Sequence, residues 1–588
     1  MSNKKNCNTS IRFRNLKQRR NLAYLYALLL ETLVAFLATS CVVTFCASRS
    51  HAQDPTEPIV IYSSKQKLND NVQDESNDVM SVEASRVDEL TEELRNETTD
   101  AAETELDDIE KPLFLLNEDE DDENDASNEE NVDNNALKKE IDVLIDMRHA
   151  HDFSDYPLSI DDRSYHRIYS FNKAFAYLQS QGIRVEKYES KEPIDDSILN
   201  KSKVVFLNLP SADKEPFLLS ELVAFMNFVR SGGSLFFIVE HTNCYFHQSR
   251  LIPLFHELDI VPQFYGVCDT AQNLGSGFGW LYVNKFSDSP VVHNLREIAF
   301  QTGGGVDPRY AVAWSSDKSW QDKANIPVYG EADLAYFGNF SRDADEPVGA
   351  CACILAKTLE RGKIVAVGDQ NIFSAFFLQY LDNYRLWINS FAWLLDKPEL
   401  ADPEKYFQTA VKENTIVCWE ELQPEAQRFG NPDPGGYYNL YSNLCRRYNA
   451  FCVAHDDSEL GLESNVLVLL QGVALSRAGV DYAYRQLERG KTLVVIDPPT
   501  DVFSSDSSSI VEIINRLKKN GIVADPERAT NSKYVATTVL TNGGKIIAQH
   551  GRESFANPIV PAPEARLTLQ HQENLNALFK SIDNALKE

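Results

Sequence analysis

Residues 137–588 are predicted to form two tandem three-layer α/β domains with mostly parallel sheets, preceded by a membrane segment and a disordered acidic linker. Three observations carry this prediction. From Lys138 onward, buried-strand patterns alternate with amphipathic helical ones, as in a parallel sheet covered by helices. The order of those patterns then recurs, once over 137–398 and again over 412–588. The residues before them differ in composition: basic, then apolar, then acidic.

The basic stretch, 1–21, holds Lys4, Lys5, Arg12, Arg14, Lys17, Arg19 and Arg20 and reads as a cytoplasmic flank. The apolar run, 22–47, is broken by Glu31 and a few small polar residues, and is long enough to span a bilayer at about 1.5 Å per residue. It exceeds the roughly 7–15-residue core of a secretory signal, which favours an uncleaved anchor with the bulk of the chain exported. Ser50-His51-Ala52 offers a small-x-small site, so the competing reading is secretion after cleavage near Ala52. Residues 53–136 follow as the linker. Between Asp70 and Asp133 there are 26 acidic and 3 basic residues, too little apolar surface to offset the entropy of ordering.

That stretch accounts for most of the net charge of −30. The rest is ordinary for a globular chain, with 43% hydrophobic and 10% aromatic residues. No basic stripe or finger spacing occurs, so no nucleic-acid partner is expected. Seven of the cysteines follow residue 53, an odd number at irregular spacings, which is neither a disulfide framework nor a zinc pattern. Buried thiols explain them better.

In the first domain Ile141–Met147 reads as a strand. A helical face through Ile168, Phe171, Phe175 and Leu178 closes at Gly182. Strands follow at Ile183–Tyr188 and Val204–Leu207, then a helix at 216–230, Gly232-Gly233 and a strand at Ser234–Glu240. After Leu251–Leu258 the pattern becomes irregular. Strands return at Ala350–Leu355 and Lys363–Gly368, and two helices run to Leu395. The second domain opens with Thr415–Trp419, a Tyr-rich helix near 437–449 and Phe451–Ala454. It continues through Asn465–Gln471, helix 475–489, Thr492–Asp497, helix 508–520 and Lys545–His550. The closest internal match sets FMNFVRSGGSLFFIVE against AYRQLERGKTLVVID.

Residues 140–396 resemble the DUF4350-like group of glutamine-amidotransferase-like domains, related to those of gliding-motility and intraflagellar-transport proteins. The resemblance rests on IDVLIDMRHAH, VVFLNLPSADKEPFLLSELVAFMNFVRSGGSLFFIVE, DSPVVHNLREIAFQTGG and GKIVAVGDQNIFSAFFLQYLDNYRLWINSFAWLL. It implies a flavodoxin-like, class I amidotransferase-like fold. It also implies a cysteine on a Gly-flanked elbow after the strand matching Ser234–Glu240, with a His-x-Glu pair after a later strand. Here the elbow reads Glu240-His241-Thr242-Asn243-Cys244, without glycine and with the cysteine late. The later strand ends in Gly368-Asp369-Gln370-Asn371, without histidine. The second domain has Asp497-Pro498-Pro499 at its elbow, and only His550 to Phe555 echoes the histidine motif. The set is degenerate, and no amidotransferase activity or cofactor is expected.

Ligands of open parallel sheets sit beyond the carboxyl ends of the strands. In the first domain that edge gathers Asp146, His149, His151, Glu240, His241, Asn243, Cys244, Asp369 and Asn371, with Gln301-Thr302-Gly303-Gly304-Gly305 as a nearby loop. Three chemistries are open there. His149 and His151 could bind a metal with Asp146 and Asp369. Cys244 and His241 could be a nucleophile pair, and Gly303 and Gly304 could cradle a phosphate. The plainer reading is a polar rim of carboxylates capping helices and histidines bonded to loops. The expected function is a non-catalytic binding or scaffold protein that meets an envelope partner or small ligand. The alternatives are an envelope hydrolase of a peptide, amide or glycan, or a solute-binding transport component.

Overall fold

The computed structural model describes residues 140–587 apart from 152, 158–169, 276–277, 324–337, 413, 424–427, 471–474, 497–508, 532–534 and 550–568. The membrane segment, the acidic linker, the second elbow at Asp497 and the echo at His550 lie outside the described residues. Among those described, no helix is long and apolar enough to cross a membrane.

The first sheet starts with β1 (Ile141–Asp146), β2 (Val185–Tyr188), β3 (Ser202–Asn208) and β4 (Ser234–Ile238). Then come β5 (Tyr265–Asp269), β6 (Asn273–Gly275), β7 (Trp280–Val283), β8 (Lys285–Phe286), β9 (Ile298–Gln301), β10 (Ala311–Trp314) and β11 (Ser319–Lys323). β12 (Ala352–Leu359) and β13 (Gly362–Val367) return to the main sheet, whose order is β2-β1-β3-β4-β13-β12-β10-β8. The first five in that order run parallel and the last three antiparallel. Helices α1 (Asn172–Ser180), α2 (Leu219–Arg230), α3 (His247–Glu257) and α4 (Asn383–Leu394) cover it.

The inner strands are apolar on both faces because helices lie on both. Val143, Ile145, Phe206, Phe236 and Ile238 pack with Phe175 of α1 and Trp387 and Phe391 of α4. The alternate residues Leu144, Val205, Leu235 and Phe237 pack with Phe225 and Phe228 of α2 and Leu251 and Leu254 of α3. A three-layer, mixed α/β arrangement results.

The second sheet repeats the order. Helix α5 (Pro403–Ala410) leads into β14 (Thr415–Trp419), α6 (Tyr438–Arg447), β15 (Asn449–Val453), β16 (Val466–Leu470), α7 (Arg477–Glu488) and β17 (Thr492–Ile496). Then follow α8 (Ser509–Lys519), β18 (Ala524–Asn531), β19 (Val535–Leu540), β20 (Lys545–Gln549) and α9 (Leu569–Lys587). The strands lie in the order β15-β14-β16-β17-β20-β19-β18, again five parallel and then antiparallel.

Two expectations are corrected. The irregular stretch after Leu258 holds seven short strands, β5 to β11, of which β8 and β10 extend the main sheet. β5 pairs with β11, and β6, β7 and β9 form a three-stranded sheet of their own. Of the two helices expected up to Leu395 there is one, α4. Residues Asn371–Phe373 make only a 3-10 turn, with Asn371 N–H held by the Asp369 carboxylate and the turn closed by Ser374 N–H to Asn371 O.

The two sheets share one core. Tyr406 of α5 stacks on Tyr384 at 4.5 Å, and Phe407 packs on Phe451 of β15. Segment Gln379–Leu381 lies parallel to the outer edge of β15. Cys452 N–H donates to Gln379 O (2.9 Å) and Leu381 N–H to Cys452 O (2.8 Å). Around it Trp280, Phe377, Tyr380, Tyr438 and Tyr441 pack ring against ring.

Candidate functional site at the carboxyl ends of the first sheet

β1 ends at Asp146, whose carboxylate accepts Arg148 N–H (2.9 Å) and His149 N–H (3.2 Å) and meets His149 Nδ1 at 2.7 Å. The other face of this knot is Glu221, three residues into the start of α2. Its carboxylate accepts Leu218 N–H, Ile194 N–H and Arg148 Nε, all within 3.1 Å, and stands 3.7 Å from His149 Nε2. Burial pushes the imidazole down, but Asp146 and Glu221 outweigh it and raise His149 to about 9. Burial likewise pushes Glu221 up, but His149 and the two amides outweigh it and hold Glu221 at about 2. His149 also stacks on Phe217 at 4.1 Å. It is an imidazolium that ties β1 to the cap of α2.

His151 points elsewhere, with Nδ1 3.3 Å from Asp213 and its ring stacked on Tyr245 at 3.8 Å. The expected metal set of His149 and His151 therefore does not converge, because each imidazole faces its own carboxylate. An Ala150–Pro210 bridge and a bond from Asn208 Nδ2 to His151 O tie the turn after β1 to the end of β3.

At β4 and β13 a second group does converge. Glu240, His241 and Cys244 are buried, and one donor atom from each lies within 4.8 Å of the others. The Glu240 carboxylate accepts Gln370 N–H (2.7 Å) and His241 N–H (3.2 Å). Asp369 accepts Gln301 N–H (2.5 Å) and Asn371 N–H (2.7 Å). Burial, then repulsion from Asp369, pushes Glu240 well above the usual carboxylate range, and burial raises Asp369 to about 7. Asn371 Nδ2 reaches Gln301 O (3.4 Å), and Asn243 exchanges bonds with Ser249 in the first turn of α3.

Cys244 is 3.9 Å from His247 Nδ1, an imidazole that sequence patterns did not single out. That ring is committed at both nitrogens: Nδ1 donates to Cys244 O (2.7 Å) and Nε2 accepts Glu240 N–H (3.0 Å). Burial holds His247 down at about 4 and, with Glu240, pushes the Cys244 thiol well up. A nucleophilic pair needs the opposite, a depressed thiol beside an available base.

Gly303 and Gly304 make no phosphate cradle. Their backbone runs across the strand ends, with Gly304 N–H on Gly368 O (2.6 Å) and Val267 N–H on Gly303 O (2.9 Å). A Cβ on Gly304 would lie 2.4 Å from Glu240 O, and one on Gly303 would lie 2.3 Å from the Phe300 ring. Close packing, not ligand approach, requires these glycines.

Glu221, Asp213 and His247 are the residues that sequence patterns missed. Only Glu221 carried a local signal, as an acid at the third position of a helix where it can cap the first turn. Away from the rim, a cavity of about 560 Å³ opens among Pro290, His293, Arg385, Asn389, Trp393 and Pro398.

No family model matches the chain, and no curated protein matches it. Among solved structures, the mmIFT52 N-terminal domain matches with a TM-score of 0.30 at 13% identity, over 43% of this chain and 97% of that one. A ThuA-like protein from Bacteroides uniformis ATCC 8492 gives 0.24 at 15% identity, over 44% and 94%. The cytoplasmic protein STM1381 from Salmonella typhimurium LT2 gives 0.25 at 11%, over 43% and 99%. These are partial likenesses at low identity.

Proposed function

We propose that this chain is a membrane-tethered, exported, non-catalytic binding or scaffold protein, built on two degenerate amidotransferase-like domains and acting in an envelope assembly. The observation that carries the reading is a rim tied up in the chain's own bonds. At the switch between β1 and β3, where such sheets take ligands, the chain's own 148–151 turn is bonded to the end of β3. At β4, Cys244 lies buried beneath an imidazole with no free nitrogen. The flavodoxin-like part of the proposal is supported by the parallel order β2-β1-β3-β4-β13, which is that of flavodoxin-like sheets. A partner-binding role is supported by α2, whose first turns leave Leu219 and Val223 exposed four residues apart, 78% and 52% open to solvent.

The test is cross-linking of the tagged full-length protein in the membrane of the cell that makes it, followed by mass spectrometry. Stoichiometric recovery of a transport, motility or cell-wall component is expected. Recovery of the intact protein alone would overturn the reading. So would turnover of a peptide, amide or glycan that Cys244→Ser abolishes.

A further inference from the structure

We infer that Glu240, His241 and Cys244 form a binding site for a thiophilic divalent cation of the zinc type at the carboxyl end of β4. This does not depend on the proposed binding role. The three side chains offer a carboxylate, an imidazole and a thiol, with donor atoms within 4.8 Å of one another and residue exposures of 5%, 5% and 1%. Donors on a tetrahedral zinc with bonds of about 2.0–2.3 Å stand roughly 3.3–3.8 Å apart, so side-chain rotations of about an ångström bring these three to the metal and leave the fourth position to water. Sulfur with nitrogen selects zinc-like metals over the oxygen-seeking calcium and magnesium.

Among the described residues, no basic side chain competes for the site. Glu240 and Asp369 are buried side by side, and no lysine or arginine among the described residues pairs with either. Buried charges are paired or coordinate metals, and a divalent cation at this point would offset the Glu240 carboxylate and the Cys244 thiolate that its binding leaves deprotonated. Asp369, fixed by the amides of Gln301 and Asn371, stands behind Glu240 as the outer carboxylate that metal ligands commonly need.

The connector is built to bring its two ends together. Thr242, Tyr245 and Phe246 all adopt left-handed backbone, at φ 49°, 52° and 58°. Such conformations cost non-glycine residues about 1–3 kcal/mol each and persist only where the surroundings impose them. Thr242, between the two, turns Cys244 back toward Glu240 within four residues, and Tyr245 and Phe246 lead the chain on into α3. His247 is a positioning residue that holds the Cys244 carbonyl and the Glu240 amide.

The test uses the purified full-length protein, reconstituted with Zn²⁺ and, separately, with Co²⁺, and assayed for bound metal after desalting. One equivalent of zinc is expected, and the cobalt form should show a thiolate-to-metal charge-transfer band. Cys244→Ser should lose that band, and His241→Ala should weaken zinc binding at least tenfold. Because either variant could misfold, the wild-type cobalt spectrum decides by itself: folded protein without the band overturns the inference. Metal retained equally by wild type and Cys244→Ser overturns it too, since the ion would then sit elsewhere.

Discussion

Glu221 takes two backbone amides and Arg148 and stands 3.7 Å from His149, all out of water. Removing one partner of such a buried set leaves the others unpaired, and Glu221→Ala is expected to cost about 3–5 kcal/mol in urea unfolding. The pH dependence follows from the two shifts. His149, raised from 6.5 to about 9, stabilises fully below pH 6.5 and loses that contribution as pH rises through about 9. Glu221, lowered from 4.5 to about 2, contributes above pH 4.5 and loses its share as pH falls through about 2. The urea midpoint should therefore fall between pH 6.5 and 9, and fall less in Glu221→Gln. A fall of equal size in both would refute the role given to this pair.

The connector between β4 and α3 and the glycine run that crosses it act as one unit. Gly304→Ala drives a Cβ into backbone, 2.4 Å from Glu240 O, with no flexible side chain to yield. A loss of about 1–3 kcal/mol is expected, read as a lower thermal midpoint; an unchanged midpoint would contradict this packing. Elements of this kind also mark where sequence reading stops. β1, β3, β4, β14, β16 and β17 were legible because helices on both faces make them continuous apolar runs. β5 to β11 were not, because antiparallel strands of two to five residues are too short to show a periodicity. β18, ADPERATN, is an exposed edge and has no apolar face to read. At the rim, the succession Glu240, His241, Cys244 after a strand was visible, as were Asp146 and His149 after another. Their partners were not, because Arg148 meets Glu221 across 73 residues and His151 meets Asp213 across 62.

Across the whole described body, the aromatic junction couples the two sheets. Phe377 is fully buried, stacks on Tyr380 at 4.6 Å and faces Trp280. Phe377→Ala is expected to cost about 3–5 kcal/mol. Because the core is shared, the loss should appear as one shifted transition, with amide exchange rising in β14 and β15 as well as in β1; two separated transitions would show that the sheets are independent. The pairing of Gln379–Leu381 with β15 has a further consequence. An unpaired strand edge is a template for aggregation. Here the flank of β15 is taken by a segment that precedes it in the chain. During synthesis that segment leaves the ribosome first, so the second sheet meets its guard as it forms, and a sticky flank never waits for a stranger.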